Sequence, residues 1–332
     1  MTNSDQAPRA FLEACSTKGR PQNTALDDAV FKFSTRPKVS VCVIAYNQER
    51  YIRQCLQSLV DQETSFNFEI IVGDDCSTDG TRAILEEFAR AHPHLVRLIF
   101  QERNTGGTRN YLDVHAQACG DYVAHLDGDD LALPGRLELQ ARALDLDPQC
   151  VIVWHRMRVF DDSGALSVPN LPSATIWPGG RIELRDLLRY GSVGYHSAMM
   201  YRASAWAPKV DGPALDWYFA VELLRSGHGL YLEGILGGYR YNPTTGLSRA
   251  GDGTLRTRRL YQMHLQHYAR ELPRSRRDIF MNCLINALVD VVNRRPTWIG
   301  FLRLALHYPS LVEIFKFPFS LRRYRVINPK IL

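Results

Sequence analysis

The chain has 332 residues, 45% of them hydrophobic and 23% charged, with a formal net charge of +5. That length buries a sizeable core in one large domain or two smaller ones, and the composition excludes a disordered chain. No internal repeat or low-complexity tract marks a solenoid.

Residues 1–37 show little periodicity and read as an N-terminal extension. Order begins at Val39-Ser-Val-Cys-Val-Ile-Ala45, a continuous apolar run of the kind a fully buried parallel strand needs. Tyr46-Asn47-Gln48-Glu49 breaks it, and Ile52, Leu56, Leu59 and Val60 then recur at helical spacing. Phe68–Val72 predicts a second buried strand, ending at Gly73-Asp74-Asp75. Ser77-Thr78-Asp79-Gly80 is turn chemistry that opens a helix carrying Ile84, Leu85 and Phe88. Val96–Phe100 predicts a third strand, Asn104–Gly107 a loop near the ligand, and Tyr111–Cys119 a helix. A fourth strand, Tyr122–Leu126, runs directly into Asp127-Gly128-Asp129-Asp130.

Further on, the pattern predicts a helix over Leu137–Leu146 and a strand at Val151–Trp154. A long loop over Asp161–Gly180 follows, then a strand at Ser197–Arg202. A helix over Leu215–Arg225 and a strand over Leu230–Tyr241 complete this part. Beyond Thr254 the periodicity is helical. Alternating strands and helices imply βαβ units and a mostly parallel sheet with helices on both faces. In such sheets ligands bind at the carboxyl ends of strands. Three strand ends carry polar clusters here: Tyr46-Asn47, Asp74-Asp75 and Asp127-Gly128-Asp129. Two carboxylates flanking a glycine suit Mg²⁺ or Mn²⁺, which take oxygen ligands and complete their shells with water and substrate phosphates. His125, inside the fourth strand, reads as a core histidine. His196 fits either an acceptor cleft or an internal hydrogen bond.

Val39–Asn47, Asp74-Asp75 with Ser77–Gly80, Gly120-Asp121-Tyr122 and Leu126–Asp130 together resemble the inverting family 2 glycosyltransferases of the GT-A fold, of the bacterial surface-polysaccharide type. The likeness covers roughly residues 37–245. It implies transfer of a sugar from a nucleoside-diphosphate donor, UDP or GDP type, to a hydroxyl of a saccharide or lipid-linked saccharide acceptor. It also implies that Ala45, Tyr46, Asn47, Glu49 and Asp75 line the nucleotide pocket. Asp127 is expected against the ribose and metal, Asp129 as direct metal ligand, and Arg136 at a basic position after the turn. Asp216 matches the family's catalytic base, although Leu215 replaces the usual Glu. Asp211 is the reserve candidate, and a helix N-cap is the plain alternative for Asp216. Arg240 or Arg249 is expected to neutralise the leaving diphosphate, with a structural ion pair as the alternative. Asn242 stands where the family commonly has His.

The expected division is an extension over 1–37, a GT-A domain over 38–253 and a basic, helical C-terminal region over 254–332. From Leu255 to Leu332 there are 15 Lys/Arg against 4 Asp/Glu. Such a region, rich in aromatic residues from Trp298 to Arg325, suits an anionic membrane surface. Packing against the catalytic domain or a second subunit is the alternative, and no nucleic-acid partner is expected. Seven scattered cysteines without a C-x-x-C pair fit a reducing compartment. With no signal-peptide core and no apolar run of ~18 residues, the expected location is cytoplasmic, peripheral on the inner face of the membrane if the tail binds there. Two rival readings remain open: a sugar nucleotidyltransferase, and a non-catalytic nucleotide-sugar or glycan-binding relative.

Overall fold

The computed structural model describes residues 36–163, 166–167, 177–241 and 252–327. The expected extension, apart from its last two residues, lies outside the described residues, as do Asn242 and Arg249. The strands are, in chain order, β1 (Val39–Ala45), β2 (Phe68–Asp74), β3 (Val96–Phe100), β4 (Tyr122–Asp127), β5 (Leu131–Ala132), β6 (Cys150–Phe160), β7 (Leu166–Ser167), β8 (Arg181–Ile182), β9 (Met200–Arg202) and β10 (His228–Arg240). The α-helices are α1 (Ile52–Val60), α2 (Thr81–Ala91), α3 (Gly107–His115), α4 (Arg136–Leu146) and α5 (Leu184–Tyr190). They continue with α6 (Asp216–Leu224), α7 (Gly253–Glu271), α8 (Arg276–Val292), α9 (Trp298–His307) and α10 (Leu311–Ile327).

Two compact units form, one from residues up to Pro148 with His196–Gly212, the other from Gln149–Tyr195 with Pro213 onward. In the first, the strand order is β3-β2-β1-β4-β9. The first four are parallel. Helices cover both faces of such a sheet, so the central strands need no polar side, and six of the seven residues of β1 are buried. Helix α1 follows the same logic at helical spacing: Ile52, Cys55, Leu56 and Leu59 form its buried stripe.

Register decides where the strands end. Ala45 pairs with Asp74, and Ile44 with Asp127, so the polar residues after β1, β2 and β4 emerge along one edge of the sheet. Two expectations need correction. The helix expected from Tyr111 starts at Gly107 and stops at His115; Gly106 before it takes φ 85°, which glycine reaches without a Cβ clash. The strand expected over Ser197–Arg202 opens as a 3₁₀ turn at His196–Ala198, and only β9 pairs, antiparallel to β4.

In the second unit β6 and β10 run parallel, with β7 antiparallel to β6 and β8 antiparallel to β10. Helix α8 is the centre of its helical part. Ile279, Phe280, Met281, Cys283 and Ile285 are buried there, and α5, α9 and α10 pack on α8. Arg189 of α5 pins α10 through Glu313, an ion pair with both side chains largely buried, and reaches Asp278 of α8 at 2.9 Å. Among the described residues no helix is long and apolar enough to cross a membrane.

Candidate functional site

The loops after β1 and β2 are sewn together by short side chains. Asn47, at φ 52°, sits in the left-handed region that Asn tolerates better than most residues. Its backbone N–H donates to Ser77 Oγ at 2.9 Å, and its Oδ1 accepts the Thr78 N–H at 2.8 Å. Glu49 Oε2 accepts the Gly80 N–H at 2.7 Å, and the Glu49 N–H donates to Asp79 Oδ2 at 3.1 Å. Burial pushes the Asp79 carboxyl up, but bonds from Thr81 and Glu49 outweigh it and lower its pKa. Beside this clasp, Tyr46 is exposed and Ala45 is buried.

The aspartate pair after β2 turns inward. Asp74 is fully buried, and its Oδ2 accepts from Arg82 Nε at 2.8 Å and from the Ser77 N–H at 3.1 Å. Asp75 Oδ1 takes the Thr105 N–H and hydroxyl at 2.7 and 2.8 Å, and its Oδ2 takes the Gly106 N–H at 2.9 Å. Asp75 thereby fixes the 104–107 loop, whereas the sequence led us to expect its carboxylate directed at a ligand.

Asp127 ends β4 and starts a tight turn, with the Asp130 N–H bonded to the Asp127 carbonyl at 3.0 Å. Gly128 leaves little room for a side chain: a Cβ there would lie 3.0 Å from both the Ile44 carbonyl oxygen and Ile52 Cδ1. Asp127 and Asp129 stay half-buried on either side of it. Positions two apart on a strand share a face, so His125 reaches Asp127, Nε2 to Oδ1, at 3.2 Å. Ser197 holds the other side, its Oγ accepting the Asp127 N–H at 3.0 Å and donating to Oδ2 at 3.1 Å. Burial pushes the Asp127 carboxyl up, but the His125 bond, the charges of His125 and His196 and the Ser197 bond prevail and bring it down to about 2. An ionised carboxylate beside a second one on a tight turn, both half-buried, fits a divalent cation with a diphosphate.

Behind Asp127 the histidines continue inward. His125 Nδ1 meets His115 Nε2 at 3.0 Å, and His115 Nδ1 meets Tyr201 Oη at 2.7 Å. His115 and His125 are both fully buried. Burial, then the charges of His125 and His196, hold the His115 pKa well below the usual histidine value. Tyr111 stacks on His115 with ring centres 3.8 Å apart, and Trp206 lies over Tyr201 at 4.9 Å. Sequence reasoning placed His125 in the core but missed Ser197, His115 and Tyr201. The one local signal was the i, i+2 spacing of His125 and Asp127.

Arg136, expected among the ligand-binding residues, is instead wholly buried. Its Nη2 donates to the His125 carbonyl at 2.7 Å and its Nε to Gln140 Oε1 at 3.2 Å. Burial lowers its pKa to about 10, with Asp130 pulling the other way.

In the second unit, Asp216 is the first residue of α6 and exposed. Leu215, whose side chain cannot cap, holds the N-cap position, and Asp216 follows it in the first turn. The Leu215 N–H donates to His264 Nε2 at 3.3 Å. Asp211 is exposed. Arg240, expected near the diphosphate, is buried in an ion pair with Asp162 at 2.9 Å and packs over Phe160.

The family model for glycosyl transferase family 2 matches residues 40–206, half of the chain. EpsE of Bacillus subtilis, named as a glycosyltransferase, is 35% identical over 170 residues, 51% of this chain and 58% of EpsE. The chain thus spans less than two thirds of that relative. In three dimensions it is similar to TarS 1-349 of S. aureus, determined in complex with UDP-GlcNAc. That likeness has a TM-score of 0.58 at 21% identity, over 89% of this chain and 82% of TarS. It is also similar to the mannosyltransferase PcManGT of Pyrobaculum calidifontis, determined with GDP-Man and Mn²⁺. Here the TM-score is 0.55 at 18% identity, over 98% and 95% of the two chains. At such identities the structures speak for the fold. Together with the family match, they establish that this chain belongs to glycosyl transferase family 2 and has the GT-A fold.

Proposed function

We propose that the chain is an inverting glycosyltransferase that moves a sugar from a nucleoside-diphosphate sugar, UDP or GDP type, to a hydroxyl of a saccharide acceptor in cell-surface polysaccharide assembly. The observation that carries this reading is the Asp127-Gly128-Asp129 turn at the carboxyl end of β4, with Asp127 held by His125 and Ser197. A carboxylate fixed before ligand arrives needs little reorganisation when charge develops. That TarS binds UDP-GlcNAc and PcManGT binds GDP-Man on the same fold supports the donor class.

Asp129, with Asp127, is the ligand set for Mg²⁺ or Mn²⁺, and the ion when bound neutralises charge on the leaving diphosphate. Tyr46 offers an exposed ring to the nucleotide base, and the Asn47–Glu49 clasp keeps that loop in place. Asp75 acts through the 104–107 loop that it fixes. Asp216 takes the proton of the acceptor hydroxyl as its oxygen attacks the anomeric carbon; the bond to the diphosphate breaks on the opposite face, and the configuration inverts. Measured release of nucleoside diphosphate from a panel of donors, with saccharide acceptors, tests the reading. Release by the wild type that disappears in Asp129→Ala and Asp216→Asn supports it, and no release from any donor contradicts it.

The same proposal lays the C-terminal helices on an anionic membrane surface, beside a lipid-linked acceptor. Leu311, Phe315 and Phe319 follow each other at i, i+4 and i+8 on α10 and are 76–82% exposed. Arg303 of α9 and Lys316, Arg322 and Arg325 of α10 are also exposed. Aromatic and aliphatic side chains flanked by cations are the composition of an interfacial helix.

A further inference from the structure

His125, Asp127 and His196 each offer one donor atom, and the three atoms lie within 4.8 Å of one another. Two of them come from one face of β4, with His125 Nε2 3.2 Å from Asp127 Oδ1. The third comes from the 196–198 turn, which Ser197 ties to Asp127 at both the backbone N–H and Oδ2. With metal–ligand bonds of about 2.1 Å, neighbouring donors of a tetrahedral shell stand about 3.4 Å apart. The His125–Asp127 pair already has that spacing. The His196 donor lies within 4.8 Å of both.

The surroundings are those of a ligating histidine rather than of a filler in the core. A metal-bound imidazole gives its other ring N–H to a fixed acceptor, which sets the tautomer and the ring plane. Here His125 Nδ1 faces His115 Nε2 at 3.0 Å, and His115 Nδ1 is fixed in turn by Tyr201 Oη at 2.7 Å. With metal on His125 Nε2, its Nδ1–H donates to His115 and the His115 Nδ1–H donates to Tyr201. Tyr111 stacks on His115 with ring centres 3.8 Å apart, and its ring lies 4.9 Å from that of His196 at a 30° tilt. Two imidazoles and one carboxylate suit borderline divalent ions, whereas Mg²⁺ takes oxygen ligands and keeps its water.

We propose that His125, Asp127 and His196 form a binding site for a borderline divalent transition-metal ion of the Co²⁺ and Zn²⁺ class, filled without nucleotide and in preference to Mg²⁺. Asp127 is the ligand shared with the donor site, so the link from this ion to turnover rests on the function proposed above. Uptake of metal by the nucleotide-free chain does not.

The test is a Co²⁺ titration of the full chain, stripped with chelator and free of nucleotide, read by visible d–d absorption. The expected result is saturation at one ion per chain, unaffected by a large excess of Mg²⁺ and abolished by equimolar Zn²⁺. His196→Ala and His196→Gln, the second preserving volume and polarity against misfolding, weaken binding at least about tenfold. Asp129→Ala leaves it within about threefold. The proposal is overturned if no bands develop, if both His196 variants bind as the wild type does, or if Asp129→Ala or Mg²⁺ removes the bands. Failure of the donor reading shows elsewhere, as a chain that binds Co²⁺ but no nucleotide.

Discussion

The Arg136 guanidinium donates to the carbonyl oxygen of His125 at 2.7 Å, inside the first unit and out of contact with water. It grips the strand that delivers Asp127 from behind, and its charge balances that of the buried Asp130. Arg136→Met keeps much of the volume but leaves that carboxylate unbalanced, and removing one partner of a buried charge system costs about 3–5 kcal/mol. The expected outcome is a large drop in the urea midpoint, with little change in nucleotide affinity of the protein that remains folded. Unchanged stability with lost nucleotide affinity would return Arg136 to the ligand-binding set.

Asp216→Asn separates chemistry from folding. The substitution removes one charge from the first turn of α6, which moves the melting transition by about 0.3–1 kcal/mol. Loss of a general base lowers kcat by ~10²–10⁴ with KM for the donor little changed. Steady-state kinetics beside a thermal melt reads both quantities; normal turnover would remove Asp216 from the mechanism.

His264 supplies a pH dependence. Burial, then the charge of His267, lowers its pKa to about 4, and its neutral Nε2 accepts the N–H of the residue before Asp216. A depressed folded pKa contributes stability that is fully present above the unfolded value, about 6.5. That stability is lost as pH falls from there through about 4. The loss is on the order of 2–3 kcal/mol. Urea midpoints measured from pH 7.5 to 4 fall more steeply for the wild type than for His264→Gln, so the gap between them narrows in acid.

For the C-terminal helices the expected outcome is flotation of the full chain with anionic vesicles at low salt, released by high salt. Phe315→Ser with Phe319→Ser reduces binding at least tenfold, because each exposed ring buries apolar area worth about 2 kcal/mol in the interface. Both side chains are about four-fifths exposed, so the melting temperature stays put. Equal flotation of the double variant would discard the membrane reading.

Much of the polar edge of the sheet was legible because parallel strands announce themselves. Val39–Ala45 and Phe68–Val72 are apolar but for Ser40 and Glu69, which bond to each other at 2.6 Å, and the polar residues that stop the strands line the proposed site. What stayed hidden is assembled from distance in sequence. Ser197 lies 70 residues from Asp127, and Tyr201 lies 86 from His115. No local pattern encodes a turn and a short antiparallel strand that come back beside β4. Arg136 misled for another reason: an arginine opening a helix after a polar turn reads as exposed, and only packing against the strand carrying His125 explains its burial.

The central claim is a nucleotide-diphosphate site that depends on Asp129. Its most direct measurement is a thermal shift with UDP, GDP, CDP and dTDP, each with Mn²⁺ and with EDTA. A nucleotide at a hundredfold excess over Kd stabilises the folded chain by ~2.7 kcal/mol. The account predicts a clear upward shift with one of these nucleotides, present with Mn²⁺, lost with EDTA and lost in Asp129→Ala. No shift with any nucleotide, or a shift that Asp129→Ala leaves intact, contradicts it.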